Sequence, residues 1–196
     1  MPPPSNRPAP PHEVRIIGGS WKRTKLAVLD KPGLRPTLDR VRETLFNWLG
    51  QDLTGWHCLD AFAGTGALGF EAASRGAAQV VMLETDAQLV RQLKALQARL
   101  QAGMLRIDNS DALRWMRKAA PAQFDLVLLD PPFEAGLFDA ALQAAAPLLR
   151  PGGWIYLEAN APTSDAQLQS LRLQVWRQGR AGAVHFCLLQ QAGPPA

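Results

Sequence analysis

Few residues in this chain are suited to metal centres or disulfide frameworks: its 196 residues include two cysteines and three histidines. Cys58 and Cys187 stand singly in apolar stretches, and His12, His57 and His185 share no ligand spacing with them. No metal is expected, and the cysteines read as reduced core residues, with a disulfide as the formal alternative. No run approaches the ~18–20 apolar residues that cross a bilayer, so no membrane-spanning helix is expected. The N-terminus lacks the basic start, apolar centre and cleavage site of a secretory signal, and a cytoplasmic protein is the expectation. Proline is abundant instead, with six in the first eleven residues. Residues 1–13 are therefore expected to form a disordered tail, and residues 191–196 a flexible one. The rest is ordinary for a single globular domain, at 47% hydrophobic and 19% charged.

The charge is uneven. Residues 1–50 carry nine Lys/Arg against four acids, an excess of five; with +4 overall, residues 51–196 sum to −1. A basic extension on a near-neutral body suggests a polyanionic partner, or else a merely soluble charged arm. Trp21 among Lys22, Arg23 and Lys25, with Arg15 before them, combines phosphate contacts with a stacking surface. Trp21 packing on the domain is the alternative. Arg35, before Pro36, is extended and available to a ligand or RNA, while Arg40 and Arg42 can also be read as a solvated helix face.

Val14–Ile17 and Leu26–Leu29 flank a Gly18-Gly19-Ser20 turn, so residues 14–36 are expected to form a small basic β-hairpin arm. Thr37 can cap a helix to about Leu49, with Leu38, Val41, Leu45 and Trp48/Leu49 at helical spacing. From residue 57 strands alternate with helices. The strands are His57–Phe62, Gln79–Glu84, Met104–Asp108, Phe124–Asp130 and Trp154–Glu158. Helices are expected near 67–75, 86–101, 111–119 and 137–148. This rhythm implies right-handed βαβ units. Leu171–Trp176 and Ala183–Leu189 are joined by too few residues for a crossover and must pair antiparallel. The expectation for 37–190 is one α/β domain: a Rossmann-like, mostly parallel seven-stranded sheet, helices on both faces and a terminal antiparallel hairpin.

The first of these strands runs into Asp60-Ala61-Phe62-Ala63-Gly64-Thr65-Gly66-Ala67-Leu68-Gly69. Gly64 and Gly66 allow close approach to a ligand at the carboxyl edge of the sheet. Gly64-x-Gly66-x-x-Gly69 also fits the dinucleotide fingerprint. Asp60 tips the reading towards S-adenosylmethionine, because a carboxylate there sits poorly beside a pyrophosphate but well beside an ammonium group reached by relayed hydrogen bonds. Glu84, ending the next strand, suits ribose hydroxyls, or is a solvated acid. Asp111 suits an adenine amino group, or simply caps the following helix.

The fourth strand delivers Asp130-Pro131-Pro132-Phe133 to the same edge. Two prolines stop the strand and present the carboxylate and ring rigidly. The lone pair of an exocyclic base amine is conjugated with its ring. A carboxylate accepting one N–H and a Pro-Pro carbonyl accepting the other would turn that lone pair towards a sulfonium methyl. Phe133 offers a face to an unstacked base. A strand terminator with an aromatic plug is the bland alternative. Glu158, ending the fifth strand, can line the same cleft.

At these residues the chain resembles the class I methyltransferases that methylate amines, and within them the bacterial 16S ribosomal RNA guanine-N2 methyltransferases of the RsmD type. The likeness covers Val14 to Gln190. It is carried by Arg15-Ile16-Ile17-Gly18-Gly19, by Gly33-Leu34-Arg35-Pro36-Thr37-x-Asp39-Arg40-Val41-Arg42-Glu43-Thr44-Leu45-Phe46, by the Asp60–Gly69 loop and by Asp130–Phe133. It implies S-adenosylmethionine over Asp60, Ala61, Phe62, Gly64, Gly66, Glu84, Thr85 and Asp111, with Thr37 and Arg40 near its methionine end. It further implies RNA contacts from Arg15, Trp21, Lys22, Arg23, Lys25, Arg35 and Arg42, and chemistry from Asp130, Pro131, Pro132 and Phe133. The implied partner is 16S ribosomal RNA in an assembling or assembled small subunit, with a monomer as the default state. The competing readings are a DNA adenine-N6 methyltransferase, a nicotinamide-dependent oxidoreductase and a non-catalytic RNA-binding module.

Overall fold

The computed structural model describes residues 13–27 and 39–191. Arg35, Thr37 and the two expected tails lie outside the described residues, except Glu13 and Gln191, which the structure places in strands rather than tails. Five strands run parallel: β3 (His57–Asp60), β4 (Gln79–Glu84), β5 (Leu105–Asn109), β6 (Phe124–Leu129) and β7 (Leu149–Ala159). β9 (Val184–Gln191) lies antiparallel between β7 and β8 (Leu173–Ala181). The sheet order is β5-β4-β3-β6-β7-β9-β8, the expected Rossmann-like arrangement. The chain winds outward from β3 to β5, then returns to β6 beside β3. The crevice at that reversal, outside the carboxyl ends of the strands, is where such sheets bind ligands.

Alternate residues of each buried strand feed opposite cores, because side chains switch faces at every step. Cys58, Met82, Leu128, Tyr156 and Leu188 pack under α1 (Asp39–Trp48), α2 (Ala67–Ser74) and α3 (Ala87–Arg99). Leu59, Leu83, Leu129, Leu157 and Leu189 pack under α4 (Ala112–Lys118), α5 (Phe138–Ala145) and α6 (Asp165–Ser170). Cys58 and Cys187 belong to different cores and are both free thiols, so the disulfide alternative is not formed.

Two elements depart from expectation. α6 was not foreseen: Ser164 caps it and Leu168 is its one buried residue, so it carries no periodicity to read. The expected linker 177–182 mostly extends β8, and the chain reverses over Gly182-Ala183. As an edge strand, β8 is exposed almost throughout, so it hides the period-two pattern.

The expected hairpin forms from β1 (Glu13–Arg15) and β2 (Lys25–Ala27), with Val14 opposite Leu26. Three contacts fix it to α2. The Glu71 carboxylate accepts from the Ile17 and Gly18 amides at 2.8 and 2.7 Å. Ser74 Oγ donates to the Gly18 carbonyl and accepts from the Trp21 amide. The Ser20 amide donates to the Ser74 carbonyl at 2.8 Å. Gly19, at φ 70°, lies so close that a Cβ would sit 1.8 Å from the Ser74 carbonyl oxygen.

Arg42 corrects an expectation. It was grouped with the RNA-facing residues, yet it is fully buried, with Asp39 and Glu71 beside its guanidinium. It shares the inward face of α1 with Val41, Leu45 and Phe46, and the buried Glu71 charge supplies the partner that an interior arginine needs. Arg75 completes the cluster, its Nε donating to Glu71 at 2.9 Å. Removing one member of a buried ion-pair network strands the others and costs about 3–5 kcal/mol. We expect Glu71→Ala to lower the unfolding free energy by roughly that amount in urea titration, and to expose the hairpin amides Ile17 and Gly18 to hydrogen exchange.

Candidate active site

Strand register brings four carboxylates to one edge. Asp60 lies level with Met82 on β4 and Leu128 on β6, and Leu128 lies level with Tyr156 on β7. Two residues further along these strands come Glu84, Asp130 and Glu158. Period-two alternation places all four acids on the α1–α3 face at adjacent strand ends. Glu158 is buried and accepts the Tyr156 hydroxyl at 2.8 Å.

The glycine loop hangs on two of these acids. Asp60 Oδ2 accepts from the Gly69 amide at 2.9 Å, in the first turn of α2. Gly66 precedes that helix at φ 82° and supplies no side-chain cap, so Asp60 satisfies the helix end from the strand below. Glu84 accepts from the Gly64 amide at 2.9 Å and the Asp86 amide at 2.8 Å, with the Thr85 hydroxyl at 3.4 Å. Asp86 in turn caps α3. Ala61 is buried and its amide donates to Leu128, so it joins β3 to β6; Phe62 is half-buried and Thr85 exposed.

Asn109 was missed in the sequence. Its amide donates to the Glu84 and Thr85 carbonyls at 2.9 and 2.8 Å, fixing the β4 end. Nothing in its own segment signals this, because the contact depends on β4–β5 register. Asp111 behaves as the alternative allowed: exposed, it caps α4 by accepting from the Arg114 amide at 2.8 Å.

Burial first, and then the neighbouring negative charges of Asp130 and Glu84, raise the Asp60 carboxyl pKa to about 7 against the lowering hydrogen bonds from Gly69 and Phe62. A site with this field favours a cation and disfavours a pyrophosphate. The donor set therefore fits the sulfonium and ammonium groups of S-adenosylmethionine better than a nicotinamide dinucleotide.

Asp130 leaves β6 half-buried, followed by buried Pro131 and exposed Pro132. Phe133 opens a 3-10 turn, Phe133–Ala135, in which the Ala135 amide donates to the Pro132 carbonyl at 3.1 Å. Its ring lies 5.8 Å from Phe138 at 52°, a support from the side.

The basic arm is divided. Arg15, Lys22, Arg23 and Lys25 are exposed on the hairpin, and Arg40 is exposed on α1. Trp21 is half-buried and its indole lies tilted against Phe70 at 6.4 Å, so packing on the domain accounts for much of it.

Residues 14–190 match the family described as Conserved hypothetical protein 95. The chain is 47% identical over 148 residues to the ribosomal RNA small subunit methyltransferase D of Escherichia coli (strain K12), covering 75% of this chain and 72% of that protein. It is 44% identical to the Haemophilus influenzae protein of the same name, over 74% and 78% of the two chains. The solved structure of yhhF from Escherichia coli superposes with a TM-score of 0.80 at 37% identity, covering 92% of this chain and 99% of that one.

With a carboxyl pKa near 7, Asp60 is about half protonated at neutral pH. A cationic ligand prefers its ionised form, so binding should release a fraction of a proton at pH 7 and strengthen as pH rises from 6 to 8. We expect this in calorimetry of S-adenosylmethionine binding across buffers of different ionisation enthalpy, and Asp60→Asn should abolish the proton release and weaken binding.

Proposed function

The chain belongs to the family described as Conserved hypothetical protein 95, the RsmD-type class I methyltransferases, and from that premise we propose that it transfers a methyl group from S-adenosylmethionine to the exocyclic N2 of a guanine in 16S ribosomal RNA. The observation that carries this reading is the arrival of Asp130-Pro131-Pro132-Phe133 at the same strand edge, and on the same sheet face, as the Asp60 and Glu84 carboxylates. The relatives' shared name, a methyltransferase of small-subunit ribosomal RNA, supports the choice of polymer.

When bound, the cofactor supplies an electrophilic methyl on a sulfonium. The chain's own residues orient and select. Gly64 and Gly66 admit it against the backbone, beside Ala61 and Phe62, and Glu84 with Thr85 faces its ribose. Asp60 shapes the loop and contributes negative field without direct contact, since it is 1% exposed. Asp111, Arg40 and Thr37 complete the proposed contacts. Asp130 accepts one N–H of the base amine and a proline carbonyl accepts the other. Pro131 is the better candidate, because Pro132 already accepts from Ala135. The nitrogen lone pair is then aimed for in-line displacement, a gain of orientation rather than of new covalent chemistry. Phe133, braced by Phe138, stacks on the flipped base.

Arg15, Lys22, Arg23 and Lys25 meet the RNA backbone in a cytoplasmic small-subunit particle, and Arg35 is a further proposed RNA contact. Methylation of small subunits that lack the modification, mapped by mass, tests the assignment; a strong preference for naked duplex DNA would point to adenine N6 instead. We expect Asp130→Ala to reduce turnover by ~10²–10³-fold or more while S-adenosylhomocysteine still binds. Phe133→Ala should chiefly weaken productive base binding, by ~1–3 kcal/mol.

A further inference from the structure

Among the described residues, two large apolar side chains are exposed, and they are neighbours: Val175 at 39% and Trp176 at 48%. Both lie on β8, the outer strand of the sheet. At this point the register with β9 slips. Val175 faces Leu189 and Arg177 faces Leu188, so Trp176 is the extra residue of a bulge. A bulge leaves one residue outside the ladder and re-aims its side chain. The indole meets Trp154 at 69° with centroids 5.8 Å apart, and the Arg177 guanidinium lies 5.5 Å over its ring.

An open edge strand invites pairing with another chain unless charge guards it. Here Arg172, Arg177 and Arg180 are all exposed, and residues 166–196 contain no Asp or Glu. An exposed indole beside an arginine, in a segment of one charge sign, suits a polyanion that also offers flat bases. The placement suits it too. Trp154 shares its core face with Tyr156, and alternation along β7 puts Glu158 on that face as well. Arg177 stands opposite Leu188, and Leu188 opposite Tyr156, two residues before Glu158, or about 7 Å along the strand at ~3.3 Å per residue. β8 is three strand spacings from β6, about 14 Å. The patch is thus roughly 16 Å from the level of Asp130, the length of about five stacked nucleotides at ~3.4 Å each. The β1–β2 hairpin lies towards the other end of the sheet, where Gln92 and Arg99 of α3 donate to the Ala27 and Lys25 carbonyls.

We propose that the β8 edge, centred on Trp176 and Arg177, is a second RNA-binding surface that stacks an unpaired base a few nucleotides away from the target. This rests on small-subunit RNA being the substrate. The test uses the full chain, with unmethylated small subunits and, separately, a labelled twelve-nucleotide oligouridylate as probes. Trp176→Ala and Arg177→Gln should each raise KM for subunits about tenfold while kcat and S-adenosylhomocysteine affinity hold, and Trp176→Phe should recover most of the loss. Arg177→Gln should also flatten the dependence of log affinity for the oligonucleotide on log salt by ~0.7. A KM and salt slope equal to the parent's in both variants would overturn the proposal, as would a parent dimer that Trp176→Ala dissociates. If the parent protein leaves subunits unmethylated, the substrate reading fails instead. Oligonucleotide anisotropy then decides the surface by itself: weaker binding by Trp176→Ala supports it, and equal binding removes it.

Discussion

The buried carboxylate of Glu71 is the contact on which most of the functional geometry depends. It sits one turn beyond the glycine loop on α2 and accepts two amides of the N-terminal arm and the Nε–H of Arg75, with Arg42 of α1 at 3.6 Å. One group therefore sets two relations at once: arm to helix, and helix to α1. An isolated buried charge would be untenable, and its tolerance here comes from saturation with donors and two guanidinium groups. A short basic hairpin with three buried apolar residues, Val14, Ile16 and Leu26, gains from this anchoring a definite pose.

A second constraint runs along the strand ends. Asp60, Glu84, Asp130 and Glu158 stand on one face of adjacent strands, and the charges of Asp130 and Glu84 oppose the ionisation of Asp60. The elevated Asp60 pKa comes from its burial first and from that opposition second. Such an arrangement costs stability in the absence of a cation and is relieved by one. Backbone donors reduce the cost: Gly69 to Asp60, and Gly64 and Asp86 to Glu84. The same bonds shape the loop, so the electrostatics that favour a sulfonium and the geometry that admits it come from the same atoms.

Much of this was legible in the chain. The alternation of apolar runs with helical segments located five parallel strands, with β4 matching Gln79–Glu84 end for end. The glycine loop and Asp130–Phe133 stood out because each packs its chemistry into a few consecutive residues. α6 and the length of β8 were not legible, since one has a single buried anchor and the other is an edge with little pattern. Arg42 was misjudged because a lone cation on an apolar helical stripe looks solvated until Glu71, twenty-nine residues on, is seen beside it.

The sequence by itself determined the local chemistry: which strands end in carboxylates, where the backbone must turn tightly, and which tetrapeptide presents an acid, a rigid carbonyl and a ring. These follow from residue type and short-range spacing. The tertiary structure alone decided what depends on register and burial. It set four acids on one face, tied Asn109 to the β4 end and took Arg42 inside. It also slipped β8 against β9 so that Trp176 emerged beside Arg177. The physical reason is shared: strand pairing and helix packing bring together residues far apart in the chain, and no stretch of chain encodes its distant neighbour.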